Sequence, residues 1–249
     1  MPLSRLSSAG YPRGGLHGQL VHELGRQILS GRLRPGDVLP QQLGLPVSRT
    51  VLREAVKVLA AKGLVEARPK TGTRVRPRQE WNLLDPDVLA WQQEDAASAA
   101  SFLKSITEVR LVIEPAAAAL AAQRAEAAEI QVIDRAYREM EAALAGRSED
   151  YASFDQADMR FHRAIVGASG NVLLQQIAGV VYSGLWVSFQ ATSRLPGKAK
   201  ASLPKHRAIL DAIRRRNGRL AQETMRRLVQ ATSRTIDGLS KRRRRSAGR

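Results

Sequence analysis

Apolar positions in the first third of the chain fall on two helical stripes separated by turn-forming residues. Leu20, Val21, Leu24 and Ile28 recur at helical spacing and predict a helix over residues 16–30 with one buried face. Val51, Leu52, Ala55, Val56 and Leu59 do the same for a second helix. Ser48 can open that helix, because its hydroxyl can accept an orphan backbone N–H, and Gly63 can close it. The opposite face shows Arg49, Thr50, Arg53 and Lys57, so the leading end is basic. Two short strands are predicted next, at residues 64–67 and 73–76, with Pro69-Lys70-Thr71-Gly72 as the turn. A capped basic helix followed by a basic hairpin reads as a winged helix-turn-helix, in which the helix N-terminus meets base edges and phosphates. The alternative is an amphipathic helix and hairpin with a solvated basic face. Between the two helices, Arg34-Pro35-Gly36-Asp37 forms a turn. Gln41-Gln42-Leu43-Gly44-Leu45-Pro46 then leaves room for about one helical turn between prolines, where a helix-turn-helix needs a supporting helix.

The rest of the chain shows no strand-like alternation and no internal repeat. Its apolar pattern predicts seven helices, at residues 87–94, 98–125, 127–145, 149–168, 171–194, 198–216 and 218–239. Pro115 lies inside the second of these and should kink it. The expected architecture is mainly α, in five stretches: a flexible lead-in (1–15), a winged helix-turn-helix domain (16–76), a linker (77–86), an all-helical domain (87–240) and a basic disordered tail (241–249).

Charge narrows the partners. The chain has 249 residues, a formal net charge of +17 and an isoelectric point near 11.2, which favours nucleic acid first and a membrane surface second. No apolar run approaches the roughly 20 residues of a membrane span, and the N-terminus lacks a hydrophobic signal core; a cytoplasmic protein with no membrane partner is expected. Cysteine is absent, which excludes disulfides, thiolate catalysis and cysteine-ligated zinc. Aromatic residues make up only 4%, which argues against a base-stacking RNA surface. The Lys-Arg-Arg-Arg-Arg run from Lys241 offers phosphate affinity without sequence preference.

The helical half carries one polar constellation. Asp158 and His162 are four apart and share a helical face near Phe154, Phe161 and Ile165. His206 sits near the start of a later helix, and Arg110 is flanked by apolar residues. Imidazole and carboxylate suit zinc, nickel or manganese, and a guanidinium suits a carboxylate in bidentate fashion. Each residue also has a plain structural reading: Asp158–His162 as a local pair, His206 as a polar helix start, and Arg110 as the ion-pair partner of Glu114 or Asp158. No arrangement of adjacent nucleophile and general base surrounds the histidines, so an enzyme is not expected.

The motifs together resemble a known family. PGDVLP, SRTVLREAVKVLAAKGLVE and KTGTRV follow the pattern of the GntR family of bacterial transcription regulators. EVRLVIEPAAAALAA, DQADMRFHRAIVGASGN and KHRAILDAIRRRNGRLAQETM resemble its FadR-like branch, whose second domain is all-helical and binds an effector. The resemblance implies a homodimeric repressor of a sugar-acid or small-carboxylate catabolic operon that binds a palindromic operator. DNA contacts would come from Ser48, Arg49, Thr50, Arg53, Lys70, Thr71 and Gly72. Arg110, Asp158, His162 and His206 would bind a small-carboxylate or sugar-acid effector such as galactonate. Asp158, His162 and His206 match three positions of the branch's divalent-metal site, and the fourth, a histidine in the family, falls on Leu228. The supporting-helix segment is about four to six residues shorter than the family pattern, so the DNA contact from that helix does not carry over. Two other readings stay open: a metal-dependent enzyme or metal-binding helical protein, and a nonspecific DNA-binding protein.

Overall fold

The computed structural model describes residues 11–40, 48–68, 70–94, 96–146, 149–193 and 195–247. The chain divides into two compact units between Phe102 and Leu103. The stretch from Gln41 to Pro46, where a shortened supporting helix was expected, lies outside the described residues.

The first unit begins with α1 (Gly15–Leu29), whose Leu20, Val21, Leu24 and Ile28 are all but fully buried, as their spacing predicts. α2 (Arg49–Ala61) packs on it through Ala55 and Leu59. β1 (Val65–Arg68) and β2 (Gly72–Val75) form an antiparallel hairpin in the register Val65↔Val75 and Arg68↔Gly72. One further strand-like contact is added before α2: Val38 bridges Arg74, and Leu39 N–H donates to the Thr73 carbonyl at 2.8 Å.

Three expectations about this end of the chain are corrected. Residues 77–86 are packed on the head rather than strung out as a linker. Trp81 is buried and donates its indole N–H to the Arg76 carbonyl at 2.8 Å. α3 (Pro86–Glu94), assigned from sequence to the helical domain, packs on α1, and its Val88 and Trp91 join the same core as Leu24 and Leu59. The physical reason is apolar area: three large side chains in a short segment gain more by burial than by solvation. The lead-in is also tied down from Tyr11, whose backbone N–H donates to Asp87 at 2.8 Å and whose carbonyl meets His22 Nε2 at 2.8 Å; residues 1–10 lie outside the described part.

The second unit is all-helical among its described residues. It comprises most of α4 (Ala96–Arg124), then α5 (Ala127–Ala145), α6 (Tyr151–Gly167), α7 (Val172–Ser193), α8 (Lys198–Arg214) and α9 (Gly218–Ala247). α4 runs through Pro115 without interruption. α5 packs on α6 and α8, α8 on α9, and α6 on α7. Ile133, Met140, Phe161, Ile165, Leu210, Ile213, Met225 and Val229 form the shared core. α9 continues to Ala247, so the basic segment expected to be disordered is helical over its described part. Arginine and lysine are good helix formers, and cations near a helix C-terminus oppose its dipole.

Candidate functional site

The basic leading end of α2 is built as its sequence suggests. The Ser48 side chain accepts from the Val51 N–H at 3.3 Å, which leaves other first-turn N–H groups facing outward. Arg49, Thr50 and Arg53 are exposed. On the hairpin, Lys70 takes a left-handed conformation (φ 63°) and Gly72 another (φ 87°), and both are exposed with Thr71 between them. A side chain at Gly72 would be strained there, and its Cβ would come within 3.2 Å of Val38 Cγ1.

The polar constellation of the helical unit converges in the interior. α6 buries Phe154, Phe161 and Ile165 and thereby carries Asp158 and His162 inward on the same face. α8 delivers His206, and α4 delivers Arg110 and Glu114. His206 Nε2 lies 2.8 Å and His162 Nε2 3.3 Å from Asp158 Oδ1. Glu114 Oε2 lies 2.9 Å from His162 Nδ1, and Glu114 takes both Nε and Nη2 of Arg110 at 2.7 and 3.2 Å. Arg110 Nη2 stands 3.3 Å from His162 Nε2. Arg110, Glu114, His162 and His206 are each no more than 2% exposed, and Asp158 is 7% exposed.

Burial and charge compete at each group. Burial alone would push the His162 imidazole down, but the Glu114 charge and hydrogen bonding to Asp158 and Glu114 hold it up at about 9. Burial would raise the Glu114 carboxyl; the Arg110 charge and then His162 bring it to about 2. Asp158 is likewise opposed by burial, and the two imidazoles hold it far below the usual carboxylate range. Burial drives the Tyr182 phenol well above its ordinary value, and the Glu114 charge adds to that.

The donor set fits a divalent cation. Asp158, His162 and His206 can each point one ligand atom at a common region, all within 4.8 Å of one another. His206 Nδ1 lies 3.0 Å from the Ser202 carbonyl, which can only accept, so this nitrogen carries a proton and Nε2 is left to face Asp158. Asp158 Oδ1 and His206 Nε2 face each other at 2.8 Å, with the Ser202 carbonyl behind the imidazole. His162 has the same design, with Glu114 behind its Nδ1. Such outer partners orient imidazole ligands toward metals. Leu228 lines the adjoining cavity, so that position supplies no ligand.

The cavity beside the cluster opens to solvent and offers about 130 Å³. Arg110, Lys198 and Lys205 give it cations, and Ser193, Thr232 and Thr235 give it hydroxyls. Of these only Arg110 was singled out from sequence. A signal existed: Lys198, Ser202 and Lys205 recur at i, i+4 and i+7, as do Leu228, Thr232 and Thr235, which places each set on one face of its helix. Glu114 was one of two partners weighed for Arg110, and the structure pairs it with both Arg110 and His162.

Comparison with known proteins agrees with both halves. Residues 16–75 match the bacterial regulatory proteins of the gntR family, and residues 105–231 match the FCD domain. The chain is 33% identical to the galactonate operon transcriptional repressor of Escherichia coli K12, over 88% of this chain and 95% of that protein. It is 31% identical to the HTH-type transcriptional regulator LutR of Bacillus subtilis 168, over 80% and 90% of the two. The solved structure of Lar, which controls expression of the Listeria monocytogenes agr system, superposes with a TM-score of 0.61 over 91% of this chain and 98% of that one; at 18% identity it supports the fold. GntR regulators bind DNA operators and small-molecule effectors and are not enzymes. With a GntR head followed by an FCD domain, the chain belongs to the GntR family of bacterial transcription regulators.

Proposed function

We propose that the protein is a homodimeric, cytoplasmic repressor of a small-carboxylate or sugar-acid catabolic operon. The carrying observation is the convergence of Asp158, His162, His206 and Arg110 on a cavity that also holds Lys198 and Lys205. Lys198 is exposed and Lys205 half-buried on its wall, and their positive charge beside Arg110 favours an anion. Galactonate enters as a candidate through the repressor named above, and other small acids through the same chemistry.

Asp158, His162 and His206 would hold a divalent metal such as zinc, nickel or manganese. Bound there, the metal would supply a Lewis-acidic anchor for a carboxylate. Around it, Arg110 keeps Glu114 ionised, and Glu114 and Ser202 orient the two imidazoles. Arg49, Thr50 and Arg53, with Ser48 as cap, would read an operator half-site, and Lys70, Thr71 and Gly72 would follow the phosphates of an adjacent groove. Each arginine bidentate to guanine discriminates by about 1–3 kcal/mol. Palindromic half-sites would lie about one helical turn, or a multiple of it, apart. The effector shifts DNA binding only by binding one arrangement of the protein better than the other.

Thermal-shift titration tests the site. With divalent metal present, a small acid at a hundredfold excess over its dissociation constant should stabilise the protein by about 2.7 kcal/mol. The shift should vanish in Asp158→Ala. Equal shifts in both proteins would place the acid elsewhere and overturn the assignment.

A further inference from the structure

α9 outruns the core that it packs against. Its buried side chains, Ala221, Met225, Leu228, Val229 and Ile236, recur at helical spacing along one face. The next positions on that face, at three- and four-residue steps, are Leu239, Arg243 and Ser246, so the apolar stripe stops at Leu239. Asp237 and Gly238 are already exposed, and a Cβ on Gly238 would meet nothing. The helix nevertheless continues to Ala247, which carries it about 16 Å beyond Ile236 at the usual rise per residue.

This extension bears the run Lys241-Arg242-Arg243-Arg244-Arg245, and no acidic residue follows Asp237. Like charges three and four apart on a helix repel one another, so the run gains from a polyanion beside it. Held as a helix, it offers one cation per about 1.5 Å of axis. Duplex DNA carries one phosphate charge per about 1.7 Å, so the two charge densities correspond. Four of the five residues are arginine, which can grip a phosphate through two N–H groups. A helix that lies on a membrane surface needs an apolar face, and the positions past Leu239 supply none. Single-stranded nucleic acid is held by aromatic stacking, and no aromatic residue follows Phe189. Five successive residues go more than once round a helix, a spread that suits a lattice of phosphates rather than one row of base edges.

We propose that the basic extension of α9 is a second DNA contact, made by the helical unit to backbone phosphates without base preference. It goes beyond what composition alone offers, because the helix fixes the spacing of the charges. It is separate from sequence reading by α2 and the hairpin and from the effector site, so neither of those readings falls with it.

Fluorescence anisotropy of the full chain on a scrambled duplex, over a series of salt concentrations, tests this. The variant combines Arg242→Gln, Arg243→Gln, Arg244→Gln and Arg245→Gln. With about two of the four arginines on phosphates, its slope of log affinity against log salt should be shallower than the wild type's by about two. Raising the salt from about 50 to 200 mM should then weaken the wild type about tenfold more than the variant. Arg242→Lys, Arg243→Lys, Arg244→Lys and Arg245→Lys together keep the charge and should keep the wild-type slope. On the upstream region of its own gene the glutamine variant should lose the same factor as on the scrambled duplex. Equal slopes for the wild type and the glutamine variant would overturn the contact. A lysine variant that behaved like the glutamine one would trace the loss to packing and overturn it as well. A loss confined to the upstream duplex would mean base reading and overturn the lack of preference. Binding to phosphatidylserine-containing vesicles that the glutamine variant lost, with the DNA slope unchanged, would assign the run to a membrane instead.

Discussion

Leu228 sets how many side chains a cation can find in the helical unit. It is 5% exposed and lines the cavity next to the three candidate ligands. A closed zinc site uses four protein ligands, and a three-ligand site keeps a position open. Leu228→His should therefore tighten metal binding about tenfold or more, as read by competition with a chromogenic chelator. Unchanged affinity would mean that this side chain does not reach the metal. Asp158→Asn acts in the opposite direction, because the carboxylate between the two imidazoles supplies the negative charge of the set. Its metal affinity should fall by about tenfold to a hundredfold, while circular dichroism stays that of a helical protein. The Asp158–His162 pairing was legible in the sequence because four residues is a helical repeat. The choice of Glu114 over Asp158 as the main partner of Arg110 was not legible, since both are compatible with spacing and only the packing of α4 against α6 decides. Ser193 gave no signal at all: a serine at the end of an apolar helix is ordinary until its hydroxyl is seen buried and unpaired.

α3 shows how a short element can change allegiance. Its Trp91 donates an indole N–H to His22 Nδ1 at 2.9 Å and packs over Gly25 of α1 so closely that a Cβ there would meet the ring at 2.5 Å. Gly25→Ala should destabilise the first unit by about 1–3 kcal/mol, the usual cost of overpacking, with a lowered denaturation midpoint followed by tryptophan fluorescence. A wild-type midpoint would mean that α3 is not held in this packing. Lys62, at the end of α2, holds the same region through Asp87 at 2.6 Å and Asp85 at 2.9 Å. Burial alone would lower its pKa, but the hydrogen bonds it donates to Asp87 and Asp85 outweigh this and raise it. The stability this lysine contributes is therefore complete below its ordinary value of about 10.4 and is lost as the pH rises through the raised folded value. Melting of the first unit should stay level up to about pH 10 and decline above it, and Lys62→Met should remove that decline. A linker ending at residue 86 is what the sequence suggests, because Pro77, Pro86 and the polar residues between them are turn formers. The burial of Trp81, Val88 and Trp91 depends on a partner surface, α1, that lies some seventy residues away in the chain. Most helices of the second unit were legible, since Gly146, Gly170, Gly197 and Gly218 mark their breaks, whereas α9 runs past Gly238 to Ala247 because nothing in its basic last turns stops a helix.

A net charge of +17 favours DNA affinity of some kind whatever the sequence, so affinity alone says little about function. Specificity is what separates a regulator from a nonspecific binder. Arg53 is 71% exposed at the leading end of α2, beyond the reach of the core. Arg53→Ala should therefore weaken operator binding by about 1–3 kcal/mol and relax selectivity at one base pair, with no change in melting temperature. If it instead weakened all sequences alike and flattened the salt dependence, its partner would be a phosphate. The central claim couples two sites: an anion in the FCD cavity changes the affinity of the head for a specific sequence. Its most direct test is fluorescence anisotropy of the full chain on its own upstream region and on a scrambled duplex, at about 150 mM salt, with Mn²⁺ and with or without the small acid that gives the largest thermal shift. The account predicts binding at least about a thousandfold tighter to the upstream sequence, and a shift of about fivefold or more on adding the acid that is absent in Asp158→Ala. Equal affinity for both duplexes, or an upstream affinity that the acid leaves untouched, would contradict it.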